Sequence, residues 1–307
     1  MVVAGPTGAG KSELALHLAK SFSGEIVGCD SVQVYRGLDI GSAKTPVTER
    51  RGIPHHLIDV AGPGEELTAG RYAELARAAI SSIQTRRRLP IVVGGTGFYL
   101  RALLEGLSPA PSRDEVLRTR LSEAALRRPA VLHRLLRRFD LPAAERIHPN
   151  DHQKLIRAIE ISALSRRPVS EIQSRPRNAL LSMAVLKFGL SPPRQSLYER
   201  LNLRSQWMFE NGLIEETRAA IQAGYVESSK ALQSLGYKQA LQALSGSMTL
   251  PDAIRECQLR TRQYAKRQMT WFRREAGIEW LNGLGGEPAI LDEALSRATR
   301  FLAAVSA

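Results

Sequence analysis

Residues Gly5-Pro6-Thr7-Gly8-Ala9-Gly10-Lys11-Ser12 constrain this chain more than any other stretch, because they read G-x-x-x-x-G-K-S. Such a loop turns successive backbone N–H groups inward around phosphate oxygens, while its lysine adds a positive point charge and its serine offers a hydroxyl to Mg²⁺. The flanks agree with the motif. Val2-Val3-Ala4 predicts a buried strand, and Lys11 to Lys20 carries Leu14, Leu16, Leu18 and Ala19, a mostly buried helix. A strand, a glycine turn and a helix N-terminus make an anion site. The loop thus predicts a bound di- or triphosphate and leaves the compound and the reaction open. Only Met1 to Ala4 precede it, short for a central strand, so a few N-terminal residues are expected to be missing from this start.

The next hundred residues alternate strand and helix. Glu25 to Cys29 is an apolar run ending in Asp30-Ser31, and His56 to Val60 is another. Leu67 to Gln84 has helical spacing, with Tyr72, Leu75, Ala76, Ala79 and Ile83 along one side. Pro90 to Val93 predicts a buried strand that breaks at Gly94-Gly95-Thr96-Gly97, with a helix from Phe98. This rhythm predicts an α/β fold: a P-loop NTPase-like parallel sheet flanked by helices, with ligands at the carboxyl ends of the strands. From Ser108 the character changes to short arginine-rich helices over Asp114 to Arg177, and Val185 to Leu190 returns to a strand. Residues 110–178 are therefore expected to form an all-helical insertion, with the core made of 1–109 and 179–307. After Pro192-Pro193 the chain reads as helical, apart from a short apolar stretch at Ile278 to Leu281.

Charge says more about partners than composition does. The formal net charge of +13 over 307 residues exceeds what a pocket for a small phosphorylated metabolite needs, and points to a nucleic-acid partner. Cys29 and Cys257 are the only cysteines, too few for a disulfide framework or a thiolate zinc cage. No apolar run approaches the roughly 18 residues of a membrane span, and no charged-then-apolar leader precedes the P-loop. A monomer in a reducing cytoplasm, without membrane contact, is the expectation.

Several residues can carry chemistry. Asp30, at the end of a buried strand near a phosphate site, suits a metal ligand or general base, or else caps the turn into Ser31. The strand at Ile91 to Val93 ends in glycines and has no acid, which argues against a motor- or switch-type NTPase and for group transfer. Thr96 can hold a phosphate or the reacting group, and can equally N-cap its own helix. Asp39 to Lys44, with Val34-Tyr35-Arg36, forms a polar loop of the kind that touches ligand. His55 and His56 resemble a metal pair but point to opposite sides of a strand. His148 to Asp151 stops one helix and caps the next, on which Gln153 and Arg157 share a side. Pro251 to Ala276 predicts a long helix with a buried stripe of Ile254, Cys257, Ala265, Met269 and Phe272. Arg255, Arg262, Lys266 and Arg273 form a basic row beside it, near Gln268 and Trp271, suited to a nucleic-acid backbone and an unstacked base.

Taken in order, GPTGAGKS at Gly5 to Ser12, DSVQVYRGLDIGSAK at Asp30 to Lys44, PHHLID at Pro54 to Asp59, GGTGFYLRAL at Gly94 to Leu103, HPNDHQKLIRAIE at His148 to Glu160, QSLGYK at Gln233 to Lys238 and KRQMTWFR at Lys266 to Arg273 resemble the tRNA dimethylallyltransferase family. The resemblance implies transfer of a dimethylallyl group from dimethylallyl diphosphate to N6 of adenosine 37, in tRNAs that read codons beginning with U. It implies that Gly5, Pro6, Thr7, Gly8, Ala9, Gly10, Lys11 and Ser12 hold the diphosphate of the prenyl donor, with Ser12 on Mg²⁺ and Arg204 helping to neutralise the leaving group. Asp30 would accept the N6 proton and Thr96 would position the amine. Contacts with tRNA would come from Asp30, Ser31, Val32, Gln33, Thr96 and Arg118, and from Gln153, Lys154, Leu155, Ile156 and Arg157. Gln233, Ser234, Leu235, Gly236, Tyr237 and Lys238 would add to them, as would Lys266, Arg267, Gln268, Met269, Thr270, Trp271, Phe272 and Arg273. The insertion would clasp the anticodon stem-loop. Cys29, Ser42, Thr45 and Gly8-Ala9 depart from the family's usual residues without touching a group given a chemical role. Two other readings stand beside this one: prenylation of free adenine nucleotides, which needs neither the arginine-rich insertion nor the basic row, and a P-loop small-molecule kinase or nucleotide-dependent RNA binder.

Overall fold

The computed structural model describes residues 1–128, 130–174, 180 and 183–306. Chain contacts divide it into two compact units, Met1–Leu104 with Leu181–Ala307, and Glu105–Leu180. The first boundary thus falls a few residues before the expected 109/110, and the expected 178/179 lies outside the described residues. No helix among the described residues is long and apolar enough to cross a membrane.

In the larger unit, β1 (Val2–Ala4), α1 (Lys11–Ser21), β2 (Gly24–Gly28), β3 (His55–His56), α2 (Ala69–Thr85), β4 (Leu89–Gly94) and α3 (Gly97–Leu104) follow in order. The described strands form one sheet, β3-β2-β4-β1-β5-β6, with every pairing parallel; β5 is Lys187–Leu190 and β6 is Ile278–Leu281. Val3 of β1 pairs with Val93 on one side and Phe188 on the other. All three residues of β1 are buried, which the branched Val2 and Val3 suit. One face of the sheet packs Ile26, Ile91 and Phe188 against Leu14 and Leu18 of α1 and Ile290 and Ala294 of α13 (Pro288–Ser306).

The order of strands positions the site. Because β4 lies between β1 and β2, the turn that leaves it is wedged between the P-loop and the loop after β2. Parallel strands all end at one edge, so Gly5, Cys29 and Gly95 emerge side by side. Several expectations shift in detail. β3 is two residues long, since Leu57 and Asp59 adopt positive φ (61° and 58°) and end the strand where His56 to Val60 was expected to continue it. Ala73 and Ile80 are buried on α2 with Tyr72, Ala76 and Ile83, whereas Leu75 and Ala79 are half-buried at the edge of that face. Ile278 to Leu281 proves to be the sixth strand, paired with β5. Glu25 is buried at the start of β2, where Arg86 donates to both its oxygens and His56 bonds Oε2 at 2.7 Å. Arg86, then His56, hold that carboxyl below its usual range against the opposing effect of burial. His56 is thereby accounted for, and no group of His, Cys, Asp and Glu among the described residues is arranged to hold a metal.

The second unit contains α4 (Glu115–Arg127), α5 (Val131–Phe139), α6 (Leu141–Arg146), α7 (His152–Ser165) and α8 (Val169–Ser174) around its own core, including Leu121, Leu132, Leu136, Leu155 and Ile159. Asp114, Asp140 and Asp151 cap α4, α6 and α7 by accepting from Leu117, Ala143 and Lys154 N–H groups. Beyond β5, the larger unit continues with α9 (Arg194–Glu210), α10 (Leu213–Gln222), α11 (Tyr237–Leu244) and α12 (Leu250–Phe272), capped by Thr249. These helices and the loop after β2 share a further core, with Val34, Tyr35, Leu38, Met208, Leu213 and Tyr237 at its centre.

The wedge at β4 is tight enough to test. A Cβ added at Gly94 would stand 1.9 Å from the Cys29 carbonyl oxygen, a backbone atom that cannot step aside. Gly94→Ala should therefore cost about 3 kcal/mol of folding stability or more, read from denaturant unfolding. An unchanged midpoint would mean the two loops are not held at this distance.

Candidate active site

The P-loop leaves β1 with Gly5, Gly8 and Gly10 at φ of 145°, 79° and 85°, a region in which a side chain is strained. Lys11 opens α1, and its Nζ donates to the Pro6 carbonyl at 2.8 Å. Burial pulls the Lys11 ammonium down to about 8; the Asp30 carboxylate opposes that shift, and Arg204 adds to it. Arg204, on α9, donates from Nη2 to Thr7 Oγ1 at 2.8 Å, while its Nε is buried without a hydrogen-bond partner among the described residues. Its guanidinium is also lowered, first by burial. Two half-buried cations, one with a buried donor unpaired among the described residues, make a place that suits an anion.

Asp30 follows β2. Its Oδ1 accepts from the Val32 and Gln33 N–H groups at 2.8 and 3.2 Å, so a local turn sets its orientation. Thr96, on the turn after β4, accepts the Ser31 N–H at Oγ1 (3.1 Å), and so latches the loop that carries Asp30. The Asp39 to Lys44 loop is fixed from several sides. Glu216 of α10 accepts N–H groups from Asp39 and Ile40 at 2.8 Å and from Gly41 at 3.1 Å, together with the Tyr237 hydroxyl at 2.5 Å. Gln33 Nε2 donates to the Ser42 and Ala43 carbonyls. Lys44 is buried against Asp39, Asp59 and the Tyr35 carbonyl. Nothing in the sequence around Glu216 signals this role, because the three N–H groups it accepts lie some 175 residues away.

Two cavities meet here. The smaller, about 200 Å³, is lined by the P-loop, Lys11, Ser12, Gly94, Gly95 and Arg200. The larger, about 410 Å³, is lined by Gly41, Met208, Gln233 to Gly236, Cys257, Thr261 and Arg267. Thr7, Asp30, Ser42, Ala43, Arg204 and Tyr264 line both. Tyr264, which the sequence reading did not single out, has its phenol pushed up to about 12, first by burial. A carboxylate thus stands on the border between a cationic chamber and a larger mixed one. The arrangement suits departure of an anion on one side and deprotonation of a nucleophile on the other.

The segments expected to contact RNA divide by helical phase. On α12 and its C-cap Arg273, Lys266, Arg267, Thr270 and Arg273 are exposed, Met269 and Trp271 are half-buried, and Gln268 and Phe272 are in the core. The buried stripe is Ala253, Cys257, Thr261, Ala265, Gln268 and Phe272, rotated from the expected one so that it includes two polar residues. Of the basic row, Arg255, Lys266 and Arg273 are exposed, with Arg255 paired to Asp252 at the surface, while Arg262 is half-buried and donates to Asn202 at 2.5 Å. Trp271 has Arg101 4.5 Å from its ring centroid, and a Cβ at Gly97 would collide with the indole, so the ring is already packed against α3. Tyr237 and Gly236 are buried, Ser234 and Leu235 half-buried, and Gln233 and Lys238 exposed. Ser31 and Val32 are partly exposed on the loop after β2. Within the insertion, Gln153 and Lys154 are exposed, but Leu155 and Ile156 belong to its core and present no surface to a partner. Arg118 and Arg157 both bond Glu160, which is wholly buried, at 3.3 and 2.5 Å.

Fold and site together define a P-loop protein of the parallel α/β class, with a second, larger chamber beside the loop. The chain belongs to the IPP transferase family, whose model matches residues 33–275. It is 54% identical over 302 residues to the tRNA dimethylallyltransferase of Solibacter usitatus, covering 98% of both chains. Over 96% of both chains it is 51% identical to that of Koribacter versatilis. Among solved structures it is similar to the full-length tRNA isopentenylpyrophosphate transferase of Bacillus halodurans, with 35% identity, a TM-score of 0.70, and coverage of 99% of this chain and 95% of that one. It is also similar to a eukaryotic dimethylallyltransferase acting on tRNA, with 30% identity, a TM-score of 0.78, and coverage of 97% and 76%.

A lysine held near 8 makes anion binding depend on pH in a defined direction. Below that value Lys11 is an ammonium and attracts a diphosphate; above it the charge is lost, and binding must be accompanied by proton uptake. Inorganic diphosphate should bind the wild type more weakly at pH 9.5 than at pH 7, and calorimetry in buffers of different ionisation enthalpy should show the proton taken up. Lys11→Met should bind weakly throughout and lose that uptake. A pH dependence in the wild type no different from that of Lys11→Met, which shares the ligand's own titration, would reject the desolvated lysine as the anchor.

Proposed function

We propose that this protein transfers a dimethylallyl group from dimethylallyl diphosphate to N6 of adenosine 37 in tRNAs reading codons beginning with U, releasing diphosphate. Relatives named tRNA dimethylallyltransferase, matched over nearly the full chain, support the activity. The observation that carries the chemistry is the border position of Asp30, which lines both the cationic P-loop chamber and the larger one. In this reading the N6 nitrogen attacks the allylic carbon, the carbon–oxygen bond to diphosphate breaks, and the oxygen leaves with the electron pair. Asp30 receives the N6 proton. Lys11, the P-loop N–H groups and Arg204 stabilise charge on the leaving group, and Thr96 keeps the Asp30 loop in place. The adenine must leave its stack to reach such a chamber, and the exposed Lys266, Arg267 and Arg273 offer phosphate contacts on the surface of α12.

Magnesium fits the residues present. Ser12 is exposed in the first turn of α1, on the wall of the smaller cavity, and Asp30 lines the same cavity. A site with one or two protein oxygens suits Mg²⁺, which takes its remaining positions from phosphate and water. Ser12 would hold the ion, which would supply charge neutralisation to the diphosphate.

Donor and acceptor choice test the reading directly. The protein should move radiolabel from dimethylallyl diphosphate into unmodified tRNA in the presence of Mg²⁺. Label in AMP instead would make it a nucleotide prenyltransferase, and consumption of the ATP γ-phosphate without prenyl transfer would make it a kinase. Asp30→Ala should lower turnover at least about a hundredfold with tRNA affinity nearly intact; unchanged turnover rejects Asp30 as the base. Replacing Lys266 and Arg273 together by alanine should weaken tRNA binding and flatten its dependence on salt. A salt slope that does not move would make that face of α12 merely solvated.

A further inference from the structure

Gln268 lies in KRQMTWFR, yet its side chain does not face outward with its neighbours. It stands two residues beyond Lys266, about 200° around the helix, and is buried. Its Oε1 accepts the Thr7 N–H of the P-loop at 2.8 Å, and its Nε2 donates to the Gly95 carbonyl at 2.9 Å. One amide therefore ties the loop after β1 to the loop after β4. The fit is close on both sides. A Cβ at Gly95 would stand 2.3 Å from Nε2. Thr7 is gripped a second time through its hydroxyl by Arg204. The next residue after Gly95 is Thr96, which latches the Asp30 loop through the Ser31 N–H.

We infer that Gln268 is a positioning residue for the prenyl donor: it fixes Thr7, and through Thr7 the P-loop N–H groups that meet the diphosphate, and it is not a contact for RNA. This rests on reading the loop as a diphosphate cradle, and it adds the residue that sets the cradle's shape. The geometry also accounts for Gln268, one of the two polar residues in the buried stripe of α12. Every buried amide group needs partners, and Gln268 supplies one to each of two loops that differ in sequence position by about ninety residues.

Gln268→Met keeps most of the volume while removing both hydrogen bonds, and Gly95→Ala pushes against Nε2 from the other side. Calorimetric titration with inorganic diphosphate and Mg²⁺ should show about tenfold weaker binding for Gln268→Met. KM for dimethylallyl diphosphate should rise with it, while affinity for tRNA stays within twofold of wild type. Gly95→Ala should act in the same direction, and the double variant should be no weaker than the worse single one, because both remove the same clamp. A fall in thermal midpoint with diphosphate affinity and donor KM unchanged would leave Gln268 a packing residue only, and overturn the inference. Weaker tRNA binding with diphosphate affinity unchanged would make it an RNA contact, and overturn it equally. Failure of the wild type to bind diphosphate would remove the cradle reading itself. Binding by the wild type that the variants do not alter removes only the role of Gln268.

Discussion

Close approach of backbones at the carboxyl edge of the sheet is the constraint on which the rest of this structure depends. With β4 between β1 and β2, three loops share a space in which a side chain at Gly94 would meet the Cys29 backbone and one at Gly95 the Gln268 amide. Hydrogen bonds then replace side-chain volume as the means of spacing them: Cys29 N–H to the Val93 carbonyl, Ser31 N–H to Thr96, Thr7 N–H to Gln268. Lys11 and Arg204 stand half-buried on the cavity wall beside these loops, and burial is the first cause that lowers both. Partly desolvated cations attract an incoming anion more strongly than fully exposed ones do, even with the Asp30 carboxylate nearby.

Much of this was legible in the order of residues. The P-loop, the alternation of strand and helix, the acid after β2 and the acid-free end of β4 all come from local patterns, and the structure places them as local rules require. What escaped was of two kinds. Contiguous motifs such as KRQMTWFR and HQKLIR look uniform as strings, but an α-helix turns 100° per residue, so Gln268, Phe272, Leu155 and Ile156 point inward while Lys266, Arg273, Gln153 and Lys154 point out. Long-range partnerships were invisible for a different reason. Glu216 sits in an ordinary acidic first turn of a helix, and only the fold brings it to three backbone N–H groups of a distant loop. Similarly, Ile278 to Leu281 is too short to declare itself a strand until β5 is beside it.

Net charge proves a coarse guide to where a partner would bind. Several arginines are committed to internal carboxylates: Arg86 to Glu25, and Arg118 and Arg157 to the buried Glu160. Removing one partner of such a group leaves a buried charge uncompensated, which is why these residues hold the fold instead of adding to a surface field. The positive surface that remains on α12 is narrower than the sequence pattern suggested, since Arg262 is half-buried against Asn202 and the exposed Arg255 is offset by Asp252.

The clamp of Glu216 on the Asp39 to Gly41 loop has a consequence for selectivity. A carboxylate that already accepts three N–H groups and a tyrosine hydroxyl orders that wall of the larger cavity in advance. No part of a ligand's interaction energy is then drawn off to immobilise the wall. A boundary that does not yield also discriminates by exclusion, rejecting a group that is too large without any contact that recognises the right one. The shape of that wall is thus held by a glutamate that lies outside the cavity lining and acts through the backbone of Asp39 to Gly41.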